Sequence, residues 1–192
     1  MKAKAAFLDR DGVINVDRGY VWRIEDFEFI PGVLPACRAL RGLGYKLIVV
    51  TNQSGIGRGL YGEDDFLRLT DWMRARFAEA GAPLDAVYWC PDHPEHGRGV
   101  HRRDSPRRKP GPGMLLEAIA EHALDPAASF MVGDKASDIQ AARAARLGRA
   151  FLVGADPAAA RALGVPLYPD LLTLVRREFG VPASQEDQPP CA

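Results

Sequence analysis

A chain of 192 residues is long enough for one domain with a sizeable core and too short for two full ones. Its 25 basic and 25 acidic side chains cancel, so no overall field draws it to nucleic acid or to a membrane surface. With 47% apolar and 26% charged residues, its composition is globular rather than disordered.

No stretch approaches the ~20 apolar residues that span a bilayer. The N-terminal MKAKAAFLDRDG lacks the apolar core of a signal peptide, and three scattered cysteines (Cys37, Cys90 and Cys191) build no disulfide framework. The expectation is a reduced, cytoplasmic monomer with no membrane partner.

In chain order, residues 5–9, 45–51, 86–90, 129–134 and 149–154 are apolar at successive positions. That pattern predicts strands covered on both faces. Helical spacing marks residues 32–43, 64–79, 114–122, 139–146 and 171–179. Strands alternating with helices predict an α/β, Rossmann-like three-layer domain, a parallel sheet with helices on both faces. It is expected to occupy residues 1–179, followed by a Pro-rich, polar and disordered tail over 180–192.

Ligands of an open parallel sheet collect beyond the carboxyl ends of its strands, so the strand ends hold the candidates. The first ends in LDRDG, which sets Asp9 and Asp11 two residues apart. Carboxylates this close repel unless a cation or proton lies between them, and hard oxygen ligands suit Mg²⁺. The plainer reading is an acidic turn. The second ends in VVTNQSG, where Thr51, Asn52, Gln53 and Ser54 offer hydroxyls and amides to an anion, or a capped turn. GIGRG then sets Arg58 on a glycine-flexible loop on the same side. The fourth ends in VGDKASD, which brings Asp134 to this edge, with Asp138 in the first turn of the following helix. Ahead of it RRKPGPG holds Arg107, Arg108 and Lys109 against a proline-rich break. Each motif alone is weak; their conjunction at one edge is not.

In this order the four stretches resemble the motifs of the haloacid dehalogenase superfamily. FLDRDGVINVDRGYV, FEFIPGV, VTNQSGIGRG, RKPGPGML and MVGDKASDIQAA are similar to the D-glycero-D-manno-heptose 1,7-bisphosphate 7-phosphatases, relatives of the histidinol phosphatases. The resemblance spans residues 5 to about 155. It implies that Asp9 is the nucleophile and Asp11 the acid and base. Mg²⁺ is then held by Asp9, the Asp11 carbonyl and Asp134, with Lys135 and Asp138 standing behind these ligands. Thr51 and Lys109 hold the phosphoryl oxygens. Asp17, Arg18, Gly19, Tyr20, Asn52, Gln53, Ser54 and Arg108 touch a small phosphorylated sugar, and Arg58 its second phosphate. There is no insertion large enough for a cap domain, so the site should lie open.

One loop departs from the resemblance. Such phosphatases place a structural zinc between the third strand and RKP. Here Cys90 is kept, whereas the other three ligand positions are Asp92, Ser105 and Arg107. A zinc-free loop is expected, held by prolines, hydrogen bonds and Asp104 paired with an arginine. The alternative is a substitute zinc site from Cys90 and His93 with His96 and His101, or with Asp92 or Asp104.

The nearest rival function is a histidinol-phosphate phosphatase with the same catalytic residues. A DNA 3′-phosphatase is disfavoured by the balanced charge and the lack of a basic, aromatic-studded face. A phospho-accepting receiver takes its phosphoryl group on a later strand, and a non-catalytic relative would have lost Asp9, Asp11 or Lys109.

Overall fold

The computed structural model describes residues 2–182. Residues 183–192, most of the tail expected to be disordered, and Cys191 with them, lie outside the described residues. Six parallel strands form one sheet in the order β3-β2-β1-β4-β5-β6. They are β1 (Lys4–Leu8), β2 (Tyr45–Asn52), β3 (Ala86–Cys90), β4 (Phe130–Gly133), β5 (Arg149–Val153) and β6 (Leu167–Tyr168). The helices are α1 (Val33–Gly42), α2 (Ser54–Arg58), α3 (Glu63–Glu79), α4 (Gly113–Glu121), α5 (Ala136–Ala144), α6 (Pro157–Leu163) and α7 (Leu171–Phe179).

The unbroken apolar runs follow from burial on two sides. On one face Ala6, Leu8, Leu47, Val49 and Phe130 pack against α1, α3 and α7 through Leu40, Met73, Phe77 and Leu174. On the other, Ala5, Phe7, Ile48, Val50 and Met131 meet α4 and α5 through Met114, Leu115, Ala141 and Ala142. Side chains alternate between faces along a strand, so both sets must be apolar. Each fully buried Leu or Phe contributes about 1.5–3 kcal/mol relative to exposure.

The chain runs from β1 outward to β3, then returns to the other side of β1 for β4. Adjacent connections diverge there, leaving a crevice between the ends of β1 and β4. Among the described residues no separate cap domain interrupts the fold. None of their helices is long and apolar enough to cross a membrane.

Three elements escaped the periodicity. Strand β6 is two residues long. Helix α6, PAAARAL, buries only Ala160, so it shows no apolar stripe; Asp156, Pro157 and the left-handed Gly164 define its ends. Helix α2 replaces the expected glycine-flexible loop, and Arg58 ends a helix instead. Its glycines serve close packing: a Cβ at Gly55 would lie 2.1 Å from the Tyr61 ring, and one at Gly57 2.2 Å from the Pro91 carbonyl oxygen.

Candidate functional site

The Asp9 N–H donates to the Val132 carbonyl at 3.0 Å, so β1–β4 pairing extends to the first acid and fixes it at the crevice. Lys109 reaches it from the loop before α4. Its Nζ lies 3.0 Å from Asp9 Oδ1 and 2.6 Å from Asp138 Oδ1, and donates to the Val50 carbonyl at 2.8 Å. Burial works against the lysine's charge, but Asp138 and Asp9 outweigh it and raise its pKa.

Carboxylates outnumber that one ammonium. Burial pushes Asp9 up to about 7, against Lys109 and with help from Asp138, Asp134 and Asp11. Burial likewise raises Asp134 to about 6, opposed by Lys135 and reinforced by Asp138. Ligand oxygens of Asp9, Asp134 and Asp138 lie within 4.8 Å of one another, and Asp134 Oδ1 is buried without a hydrogen-bond partner. A dense set of hard, under-neutralised oxygens fits Mg²⁺. Asp138, expected behind the ligands, lies within this group of oxygens and also pairs with Lys109.

Two glycines make room for this cluster. Gly12 has φ +85°, and a Cβ there would lie 2.3 Å from Asp134 Oδ2. At Gly133 a Cβ would meet Asp138 Cβ at 2.2 Å.

Asp11 turns its carboxylate elsewhere. Oδ1 accepts from Arg10 Nη2 at 2.8 Å and Asn15 Nδ2 at 3.0 Å; Oδ2 accepts from Arg10 Nη2 at 2.9 Å and Gln53 Nε2 at 3.0 Å. Arg10 is itself only 1% exposed, and also donates to the Val21 carbonyl. Thr51, at the end of β2, is buried, and its Oγ1 accepts from Gln53 at 2.9 Å.

The remaining candidates divide. A cleft of about 520 Å³ is lined by Asp17, Gly19 and Tyr20 from the loop after β1, by Asn52, Gln53 and Ser54, and by Arg108, Lys109 and Lys135. Asn52 spends both ends of its amide on the Lys109 backbone, donating to its carbonyl at 2.9 Å and accepting its N–H at 3.0 Å. Lys135 Nζ contacts Asp17 at 3.1 Å and ties the first loop to α5. Arg18 lies outside the cleft lining and pairs with exposed Glu28. Arg58 sets its guanidinium 5.7 Å from the Tyr20 ring.

The loop after β3 is organised around Asp92 rather than Asp104. Its buried carboxylate contacts His101 Nδ1 at 2.9 Å and accepts from Arg103 Nε at 2.8 Å. Arg107 reaches Glu117 at 2.5 Å and the Trp89 carbonyl at 3.0 Å. His93 Nδ1 accepts the backbone N–H groups of Glu95 and His96. Cys90 and His93 are not brought into a potential metal group; among the described residues the group with three such ligands is Asp9, Asp134 and Asp138.

Sequence reasoning passed over Arg10, Asn15 and Tyr61. An arginine between two aspartates reads as solvated, and nothing local signals its burial.

A HAD-hydrolase-like family profile matches residues 106–166. The chain is 57% identical over 153 residues to D-glycero-alpha-D-manno-heptose-1,7-bisphosphate 7-phosphatase of Burkholderia mallei, covering 80% of this chain and 81% of that one. It belongs to the heptose bisphosphate phosphatase family of the haloacid dehalogenase superfamily. Another family member, D-glycero-beta-D-manno-heptose-1,7-bisphosphate 7-phosphatase of Escherichia coli, is 52% identical over 78% of both chains. The structure of D,D-heptose 1,7-bisphosphate phosphatase from B. bronchiseptica, complexed with magnesium and phosphate, superposes with a TM-score of 0.80 at 30% identity. That match covers 92% of this chain and 98% of the other.

Proposed function

We propose that this chain is a Mg²⁺-dependent phosphatase that removes the 7-phosphate of D-glycero-D-manno-heptose 1,7-bisphosphate through a phosphoryl group carried on Asp9. The observation that carries the reading is the buried meeting of Lys109 with Asp9 and Asp138, with Asp134 beside them, at the crevice of a chain from this family. Phosphoryl transfer asks for positioning and charge neutralisation above all.

Asp9 attacks phosphorus as the bond to the sugar C7 oxygen breaks, and Asp11 gives that oxygen its proton. Water then attacks the phosphorylated Asp9, Asp11 takes the proton, and inorganic phosphate leaves. Lys109 and Thr51 hold the phosphoryl oxygens. Asp9, Asp134 and the Asp11 carbonyl, with Asp138 beside them, would hold Mg²⁺, which would supply positive charge against the repulsion between phosphate and carboxylate. Arg108, together with Arg58, meets the distant second phosphate, and Asp17, Gly19 and Tyr20 with Ser54 line the sugar. Without a cap, selection falls to these side chains. In this reading residues 1–179 act as one domain, a cytoplasmic monomer.

Phosphate release from both anomers of the bisphosphate and from histidinol phosphate tests the reading, with Mg²⁺, with EDTA, and in Asp9→Asn. Both anomers are needed because the two relatives named above differ there. Metal-dependent turnover of a heptose bisphosphate, lost in Asp9→Asn, supports it. Preference for histidinol phosphate keeps the chemistry and overturns the substrate.

A further inference from the structure

Tyr61 has no part in the chemistry described so far, yet its hydroxyl lies one side chain from two reacting groups. Its Oη donates to Gln53 Oε1 at 2.5 Å. At the other end of that amide, Nε2 donates to Asp11 Oδ2 at 3.0 Å and to Thr51 Oγ1 at 2.9 Å. Both Tyr61 and Gln53 are buried.

The direction of this chain of bonds is forced. Both Asp11 oxygens already accept from Arg10, and Gln53 donates to Asp11 Oδ2 and Thr51 Oγ1 alike, so the end of Gln53 facing them is its NH₂. The opposite end is then a carbonyl, which only accepts, and the phenol donates to it. Burial pushes that phenol up to about 12, so its proton stays in place. The ring has little freedom. It lies so close over Gly55 that a Cβ there would come within 2.1 Å, and Trp22 stacks near it, with centroids 6.1 Å apart and planes 12° apart. Arg10 and Asn15 hold Oδ1 of Asp11, and on Oδ2 Gln53 joins a single bond from Arg10.

We propose that Tyr61 is a positioning residue acting through Gln53: by holding the carbonyl end of that amide, it keeps the NH₂ on Asp11 and aims that carboxyl group for proton transfer to the leaving oxygen. Gln53, expected to touch substrate, becomes the middle member of this arm. The inference rests on the phosphatase reading and goes beyond it.

A sugar alkoxide needs a proton to leave, whereas p-nitrophenolate leaves unaided. An arm that serves Asp11 therefore matters for the first ester and little for the second. The experiment compares single-turnover release of the leaving group from heptose 1,7-bisphosphate and from p-nitrophenyl phosphate. It uses wild type, Tyr61→Phe, Gln53→Met and the double variant, with KM and melting temperature measured alongside. Tyr61→Phe is expected to slow the sugar ester about tenfold and the nitrophenyl ester less than about twofold, with KM hardly changed. In the Gln53→Met background the second substitution should add nothing, since the path is already cut.

Equal slowing of both esters would overturn the inference, because it points to Thr51 and phosphoryl binding instead. No slowing, or independent effects in the double variant, would overturn it as well. If Tyr61→Phe lowers the melting temperature, the ester-selective loss must still appear when both esters are assayed well below the variant's melting point, and its failure to do so sinks the proposal. The phosphatase reading stands or falls separately, on wild type against Asp9→Asn.

Discussion

Lys109 and Asp138 form an ion pair 2.6 Å long with both side chains almost completely sealed from water. One comes from the loop ahead of α4 and the other from the first turn of α5, so the pair clamps two separate motifs together at the tip of β1. Removing Asp138 leaves Lys109 its second partner, Asp9, at 3.0 Å, so the loss is that of one charge-assisted contact rather than of all compensation. Asp138→Ala should therefore lower stability by about 1–3 kcal/mol and reduce kcat, because Lys109 loses its aim at Asp9. Urea unfolding monitored alongside turnover checks both, and unchanged stability would refute the clamp.

The acid cluster makes stability depend on pH and metal together. Asp9 stands raised to about 7 and Asp134 to about 6, from a common ordinary value of 3.8. Over that interval the native state holds protons that the unfolded state has released, so the metal-free protein loses stability as pH rises from 3.8 towards 7. A divalent cation relieves the repulsion and competes with those protons. The EDTA-treated protein should melt several degrees lower at pH 8 than at pH 5.5, and Mg²⁺ should raise the melting temperature more at pH 8. Scanning calorimetry at the two pH values, with and without Mg²⁺, reads this directly; a larger metal effect at pH 5.5 would contradict it.

Gly133→Ala and Gly19→Ala separate packing from backbone strain. At Gly133 the new methyl would meet the root of Asp138 at 2.2 Å, which cannot swing aside. At Gly19 nothing lies within 4 Å, and the only cost is a φ of +73°. We expect Gly19→Ala to cost about 1 kcal/mol. Gly133→Ala should cost about 1–3 kcal/mol and nearly abolish turnover, as Asp138 and with it Lys109 are displaced. Thermal melts with kcat for each variant decide, and equal activity in the two would be the contrary result.

Asp92 holds the loop that carries Arg108, whose Nη1 donates to the Asp92 carbonyl at 3.2 Å. Burial alone would raise the Asp92 carboxyl, but its bonds to His101 and Arg103 bring it below the ordinary value. Its stabilising contribution is thus present above 3.8 and lost as pH falls through the lower folded value. Asp92→Asn should cost about 1–3 kcal/mol at neutral pH and raise KM more than it lowers kcat, since the chemistry itself is untouched. Steady-state kinetics beside a melting curve check the split; a change in kcat alone would place Asp92 in some other role.

Sequence patterning by itself determined the strand–helix alternation, the five longer strands, and the gathering of Asp9, Asp11, Thr51, Lys109 and Asp134 at one sheet edge. It could do so because burial on both faces leaves continuous apolar runs, and because parallel strands must end on the same side. Only the tertiary structure decided which partner each of these groups takes. Asp138 joins the acid cluster, Arg10 is buried against Asp11, Asn52 turns to the Lys109 backbone, and Gln53 accepts the Tyr61 hydroxyl. Helices α2 and α6 also stayed hidden, since their small residues carry almost no periodic apolar signal. The physical reason is common to these cases: periodicity records which face is buried, whereas hydrogen bonds and ion pairs join residues as far apart as 52 and 109, whose meeting no local pattern encodes.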